Sequence, residues 1–163
     1  MAHQGMDAPV RALGPDAQRV VFELERALHE YEPLRATRAQ ISVDVEGGRV
    51  RLRGRTRTEA LRLIAGYLAS FGRGVSEIQN ELVSDDQVIR AVADALAADP
   101  LTAPHVLQVD CRYGDVTLTG EVDAAEAEAR AVELARQVPT VTAVRSAIAR
   151  VKPHPTAAPS AAS

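Results

Sequence analysis

Hydrophobic and polar residues along this chain form two successive blocks with the same order of patterns. Each block opens with apolar residues three or four positions apart, which predicts an amphipathic helix with one buried face. These residues are Val21, Leu24 and Leu28 in the first block and Ile89, Val92 and Leu96 in the second. Pro33 and Pro100 follow the two patterns, where we expect the helices to have ended.

A β-hairpin is predicted next in each block. Apolar and polar residues alternate on both sides of a glycine-containing turn, as in two strands that bury one face. In the first block the alternating residues are Ile41, Val43 and Val45 before the turn and Val50 and Leu52 after it. The turns are expected at Gly47–Gly48 and Tyr113–Gly114.

A second helix and a last strand complete each block. Helical spacing returns at about 58–71 and 124–137, and strands are predicted at about 76–83 and 142–150. Tyr67 is expected on the buried face of its helix, with Phe71 at the end of the same face. The order αββαβ predicts an α+β fold, in which each module is a small three-stranded mixed sheet with two helices on one face.

The two blocks are an internal repeat. A shift of 66 residues places the apolar and glycine positions of the first hairpin and last strand on those of the second, and a shift of 68 aligns the first helices. We therefore divide the chain into an N-terminal segment, two modules, and a tail rich in Pro, Ala and Ser. Their bounds are 1–15, 16–84, 85–151 and 152–163, and both terminal segments are predicted to be disordered.

Composition narrows the chemistry that the two modules can carry. Of the 163 residues, 46% are hydrophobic but only 3% are aromatic, so Val, Leu, Ile and Ala must fill the cores. The formal net charge of −3 does not point to a nucleic acid or any other class of partner. Neither a signal-peptide pattern nor an apolar run of about 18 residues is present, so we expect a cytoplasmic protein without a transmembrane helix.

No group of residues has the spacing of a catalytic or metal site. The four histidines lack metal-ligand spacing, and they are His3, His29, His105 and His154. Gly47–Gly48 closes a hairpin instead of opening a helix, which argues against a phosphate-binding loop. Cys111 shares strand parity with Val109 and is predicted to be a buried thiol. We predict a non-enzymatic protein without metal or cofactor.

Three features in each block resemble the BON domain family of bacterial osmotic-stress and nodulation proteins. The first is a strand that begins and ends in glycine, at Gly48–Gly54 and Gly114–Gly120. The second is a helix with alanine in its core. The third is a closing Gly-Val-x-x-Ile-x-Asn-x-Leu at Gly74–Leu82. The second copy departs from this motif, with Thr140, Ser146 and Ile148 in place of the glycine, the asparagine and the leucine.

The resemblance implies the αββαβ fold and a binding role without catalysis. Members of the family are associated with phospholipid surfaces and envelope maintenance, and with potassium binding where the domain is joined to a peptidoglycan-binding module. It therefore implies a binding or scaffold protein that contacts an anionic phospholipid surface or a protein partner, with stress response as one setting. Potassium sensing and purely structural self-assembly are the alternatives.

Five arginines alternate along the second strand of the first module and are expected to lie on the open face of the sheet. They are Arg49, Arg51, Arg53, Arg55 and Arg57. One hypothesis is that they bind phosphate or carboxylate groups of an anionic surface or partner. The other is a solvated face on which acidic residues pair with the arginines. The turn at Gly47–Gly48 would place Glu46 opposite Arg49 and Asp44 opposite Arg51, and Glu77 and Glu81 share the outward parity, which leaves Arg53, Arg55 and Arg57 uncompensated within the hairpin.

The corresponding strand of the second module is acidic. The arginines align with Asp115, Thr117, Thr119, Glu121 and Asp123. We take Asp115, Glu121 and Asp123 as a candidate complementary face through which sheets could pair, within a chain or between chains. No aromatic residues accompany the arginines, which argues against specific nucleic-acid recognition.

Overall fold

The computed structural model describes residues 14–152, which form two compact units. The first unit comprises the described residues up to Thr56 together with Ala60–Leu82, and the second comprises Arg57–Glu59 together with the described residues from Val83 onward. The terminal segments predicted to be disordered, with His3 and His154, lie outside the described residues apart from their innermost positions. At the N-terminal side, Pro15 is already the first residue of a helix.

The order of elements follows the predicted repeat. In the first part of the chain these are α1 (Pro15–Glu30), α2 (Glu32–Ala36), β1 (Gln40–Glu46), β2 (Arg49–Thr56), α3 (Glu59–Ser70) and β3 (Glu77–Ser84). In the second part they are α4 (Asp85–Ala98), β4 (Leu107–Arg112), β5 (Asp115–Val122), α5 (Ala125–Gln137) and β6 (Ala143–Arg150).

Each unit has a three-stranded sheet whose central strand comes from the hairpin. The strand orders are β1-β2-β3 and β4-β5-β6. The hairpins pair antiparallel, whereas β6 pairs with β5 in parallel, so the sheets are mixed. The predicted α+β fold with two such modules is confirmed.

The short helix α2 is absent from the sequence prediction, because a proline such as Pro33 indicates the end of a helix as readily as the beginning of another. Pro33 lies in the first turn of α2, where its fixed φ angle suits a helix and its missing N–H is not needed. The helix ends in a tight turn in which the Ala39 N–H donates to the Leu34 carbonyl at 3.0 Å. Arg38 within this turn has a φ of 55°, in the left-handed region.

Small residues bring the helices close to the sheets. Ala65 and Ala69 of α3, like Ala131 and Ala135 of α5, are fully buried against their own cores. The central strands supply buried Val50 and Leu52 to the first core, and the second core has the corresponding Val116 and Leu118. Cys111 is buried beside these residues, as the strand parity predicted.

Helix α4 begins with a capping box that the sequence analysis did not identify. The Ser84 hydroxyl accepts from the Gln87 N–H, and the Gln87 side chain accepts from the Ser84 N–H. Ser84 is both the last residue of β3 and the residue that caps α4. Its strand position makes the Ser-x-x-Gln spacing of a helix start hard to recognise in the sequence.

Candidate interaction surfaces

The predicted arginine row lies on the sheet of the first unit and is largely neutralised there. Arg49 bonds Glu77 at 2.7 Å, and Arg53 bonds Glu81 at 3.1 Å. Arg51 bonds Gln79 at 3.1 Å and lies 3.3 Å from Glu81. The partners advance along β3 in the same direction as the arginines advance along β2, as in a parallel pair of strands.

These ion pairs agree with the hypothesis of a solvated face on which acidic residues pair with the arginines. Arg53 also lies 3.5 Å from Asp44 on β1, so the expectation that Arg53 is uncompensated is wrong. The acids that balance the row come chiefly from β3, which is remote in sequence from the hairpin. The hydrogen bond between Arg49 and Glu77 lowers the pKa of the Glu77 carboxyl and raises the pKa of the Arg49 guanidinium.

Arg57 departs from the row and belongs to the second unit. Its guanidinium bonds the buried Asp85 carboxylate and donates to the Cys111 carbonyl at 2.8 Å. It also lies 5.8 Å from the ring centroid of Tyr113. The carboxylate that balances Arg57 thus lies outside the hairpin, at the start of α4. Arg55 is half-buried on β2, opposite Gln40.

The three acids of the candidate complementary face have different surroundings. Asp115 accepts a hydrogen bond from the Thr142 hydroxyl at 2.9 Å. Glu121 is exposed on β5, and Asp123 follows this strand with an oxygen 3.4 Å from the His105 Nε2. A role for these acids or for the arginines in binding a ligand stays a prediction.

The outer side of α3 is the surface that sequence reasoning missed. Leu63, Tyr67 and Phe71 are 57%, 65% and 67% exposed, so the expectation that Tyr67 and Phe71 lie on a buried face is wrong. The buried side of the helix is formed by Leu61, Ala65 and Ala69. The two aromatic rings pack edge to face with their centroids 4.8 Å apart.

The repeat itself contains the signal for this surface. A shift of 66 residues places Leu63, Tyr67 and Phe71 on Ala129, Glu133 and Gln137 of α5, all of which are exposed. There, Glu133 pairs with Arg130 at 2.9 Å and accepts from the Gln137 amide. The three positions that carry large apolar side chains in α3 thus carry one small and two polar side chains in α5.

Among residues 14–152, no three His, Cys, Asp or Glu side chains lie close enough together to hold a metal ion. None of the helices in that range is long and apolar enough to cross a membrane.

Duplicated three-stranded α+β units with alanine-lined helices define a tandem repeat protein. The chain belongs to the BON domain family, whose model matches residues 18–83 and 84–152, and the resemblance found in the sequence is confirmed. No curated protein matches the chain closely.

Two solved structures of CdsD, a structural protein of the type III secretion system of Chlamydia trachomatis, resemble the fold. One is 21% identical, with a TM-score of 0.64, and the match covers 83% of this chain and 63% of that one. A structure of the CdsD C-terminal domain is also 21% identical, with a TM-score of 0.61 and coverages of 82% and 66%. The chain thus spans about two thirds of these proteins' length, and identity at this level concerns the fold alone.

Proposed function

We propose that this protein is a non-catalytic scaffold that assembles with a second copy of itself through the outer face of α3. The exposed side chains of Leu63, Tyr67 and Phe71 carry this proposal, because clustered apolar side chains of this size on a surface mark interaction sites. The edge-to-face contact between the two rings holds them in place before any partner arrives.

The lack of charged side chains among the exposed residues from Glu59 to Phe71 favours a second copy as the partner. These exposed residues are Ala60, Leu63, Tyr67, Ser70 and Phe71, and the next exposed charge is Arg73 in the turn that follows. Two such faces can meet without repulsion between like charges. The spacing is also symmetric about Tyr67, so antiparallel helices related by a two-fold axis would place Leu63 opposite Phe71 of the other copy.

The size of the face predicts a reversible contact. Two aromatic rings and a leucine, each more than half exposed, offer roughly 400 Å² of apolar surface per copy. Stable interfaces bury about 800 Å² per partner. The dissociation constant is therefore expected in roughly the micromolar range, as suits subunits that assemble and separate.

Contact with an anionic membrane is the alternative, and the paired arginine row gives it little support. Arg49, Arg51 and Arg53 already bond side chains of β3, so phosphate groups would have to displace those side chains. The likeness in fold to a secretion-system structural protein agrees with a structural role of a general kind.

The test transfers the chemistry of α5 to α3 by the substitutions Leu63→Ala, Tyr67→Glu and Phe71→Gln. Sedimentation velocity over a roughly hundredfold range of concentration should show wild-type dimers and a monomeric triple variant. Gln137→Ala on α5 is the matched control and should dimerise like the wild type. A wild type that stays monomeric throughout overturns the proposal.

Flotation with vesicles containing an anionic phospholipid, at low and high salt, distinguishes binding to a membrane from self-assembly. The proposal expects the protein to stay unbound at both salt concentrations. Vesicle binding by a monomeric wild type, lost in the triple variant, would replace the second copy by a membrane as the partner.

A further inference from the structure

The end of α1, the helix α2, the turn after it and the start of β1 enclose a cleft in the first unit. Its volume is about 510 Å³, within the range of small-molecule sites. Leu28 and Leu34, which are buried members of the core, form its floor with half-buried Ile41. The cleft thus offers an apolar base that opens to solvent.

Basic side chains dominate the rim of this cleft. Arg35, Arg38 and His29 are exposed there, and Glu25 is the acid on the same rim. Within residues 14–152, neither Arg35 nor Arg38 forms an ion pair. This contrasts with Arg26 of the neighbouring helix face, which lies 3.5 Å from Glu30. The two guanidinium groups outweigh the carboxylate of Glu25 by one positive charge.

The backbone holds one of these arginines in an unfavourable conformation. Arg38 occupies the left-handed position at the end of α2, where glycine or asparagine is usual. Hydrogen bonds fix the turn, since the Arg38 N–H donates to the Arg35 carbonyl at 3.0 Å and the Thr37 hydroxyl to the Pro33 carbonyl at 2.8 Å. A residue in a strained backbone conformation on a rigid turn is a pointer to a functional site.

The second unit supplies an internal comparison. Its equivalent cleft has a volume of about 130 Å³ and includes Leu96 and Leu107. Ala97 and Ala103 stand where the first unit has His29 and Arg35. The second cleft is lined by one basic residue, His105, and by no arginine, so the pair of rim arginines is a property of the first unit and not of the repeated fold.

We propose that this cleft binds an organic monocarboxylate with a short aliphatic body. The carboxylate would accept hydrogen bonds from Arg35 and Arg38, whose planar guanidinium groups suit that geometry. The aliphatic part would lie on Leu28, Leu34 and Ile41. The excess of one positive charge on the rim matches a monoanion better than a doubly charged phosphate.

Sodium hexanoate is the probe, titrated into the full ¹⁵N-labelled chain. The backbone amide signals of Leu34, Thr37 and Ala39 should shift and saturate at a roughly millimolar dissociation constant, as befits so small a ligand. Acetate, which lacks the aliphatic body, and 1-hexanol, which lacks the charge, should each bind at least tenfold more weakly. Inorganic phosphate should likewise bind at least tenfold more weakly than hexanoate.

Arg38→Gly tests the site without endangering the fold, since it removes the guanidinium and relieves the left-handed strain together. Its melting temperature should equal or exceed that of the wild type, while hexanoate binding falls at least tenfold. Arg73→Gln is the matched control, because Arg73 is another exposed arginine of this unit without an ion pair among the described residues. This variant should bind hexanoate like the wild type.

Three results would overturn the proposal. They are unchanged binding in Arg38→Gly, an equal loss in Arg73→Gln, and binding of inorganic phosphate as tight as that of hexanoate. The triple variant of α3 should bind hexanoate normally, so this site and the proposed self-assembly can fail independently.

Discussion

The guanidinium group of Arg57 bonds the carboxylate of Asp85, whose side chain is only 3% exposed. The other carboxylate oxygen lies 3.4 Å from the Cys111 sulfur, which is placed to donate to it. A buried carboxylate is stable only when charged or polar partners replace the water that it has lost. Arg57 therefore stabilises the second unit by balancing a buried charge.

Replacing Arg57 by glutamine should destabilise the protein by about 2 to 3 kcal/mol, because the buried Asp85 loses its counter-ion while Arg57 itself is partly solvated. Urea unfolding monitored by circular dichroism measures this loss. Arg53→Gln is the control and should cost less than about 1 kcal/mol, since its partners are solvent-exposed. Equal losses in the two variants would contradict the assignment.

Gly54→Ala should cost about 3 kcal/mol or prevent folding. Gly54 has a φ of 126°, and an added Cβ would overlap the Gln40 carbonyl on the paired strand. Gly47→Ala is the comparison, because Gly47 lies in open space at a φ of 56°, and its cost should be about 1 kcal/mol. Thermal melting of both variants tests the difference, and similar melting temperatures would refute it.

Asn80→Ser should lower the free energy of unfolding by about 1 to 2 kcal/mol. The Asn80 amide donates to the Arg62 carbonyl of α3 at 2.8 Å and accepts from the Leu82 N–H at 3.2 Å. The second unit has Ser146 here, which bonds a side chain, Glu128, at 2.9 Å. The shorter serine cannot reach the helix carbonyl, so urea unfolding of Asn80→Ser should show a lower free energy of unfolding. A variant as stable as the wild type would show that the hydrogen bond from Asn80 to the Arg62 carbonyl does not stabilise the fold.

The stability of the folded protein should fall at acidic pH as Asp99 becomes protonated. The hydrogen bond from Arg130, at 2.7 Å, lowers the pKa of the Asp99 carboxyl below its ordinary value. Because the pKa of Asp99 is lower in the folded than in the unfolded state, its ionised carboxylate stabilises the folded protein at pH values above the unfolded-state pKa. This stabilisation is lost as the pH falls through the folded-state pKa. Melting temperatures between about pH 5 and pH 2 should therefore fall less steeply in Asp99→Asn than in the wild type.

The matched variant for that measurement is Gln137→Asn, which removes no carboxylate. It should follow the pH dependence of the wild type. Parallel pH curves for Asp99→Asn and the wild type would show that Asp99 titrates alike in the folded and unfolded states.

The hydrophobic pattern predicted the hairpins well because their partners are close in sequence. The alternation around Gly47–Gly48 placed Glu46 opposite Arg49 and Asp44 opposite Arg51, and this register is confirmed. The ion pairs themselves form mainly with β3, and Arg57 pairs with α4. Such contacts depend on tertiary packing, which spacing within one hairpin cannot specify.

The orientation of α3 was harder to predict because apolar residues nearly surround this helix. Leu63 and Tyr67 have the same four-residue spacing as the truly buried Ala65 and Ala69, and larger side chains look like better core residues. The polar residues at the corresponding positions of α5 distinguish the two faces.

The alanines beneath α3 have a practical consequence for engineering. A methyl group has no rotamers, so the packing of Ala65 and Ala69 on the sheet need not readjust when outward-facing residues change. Positions such as 63, 67 and 71 can accordingly be randomised in a library while the interior stays intact. The first module is therefore a suitable framework for selecting new binding specificities on a single helix.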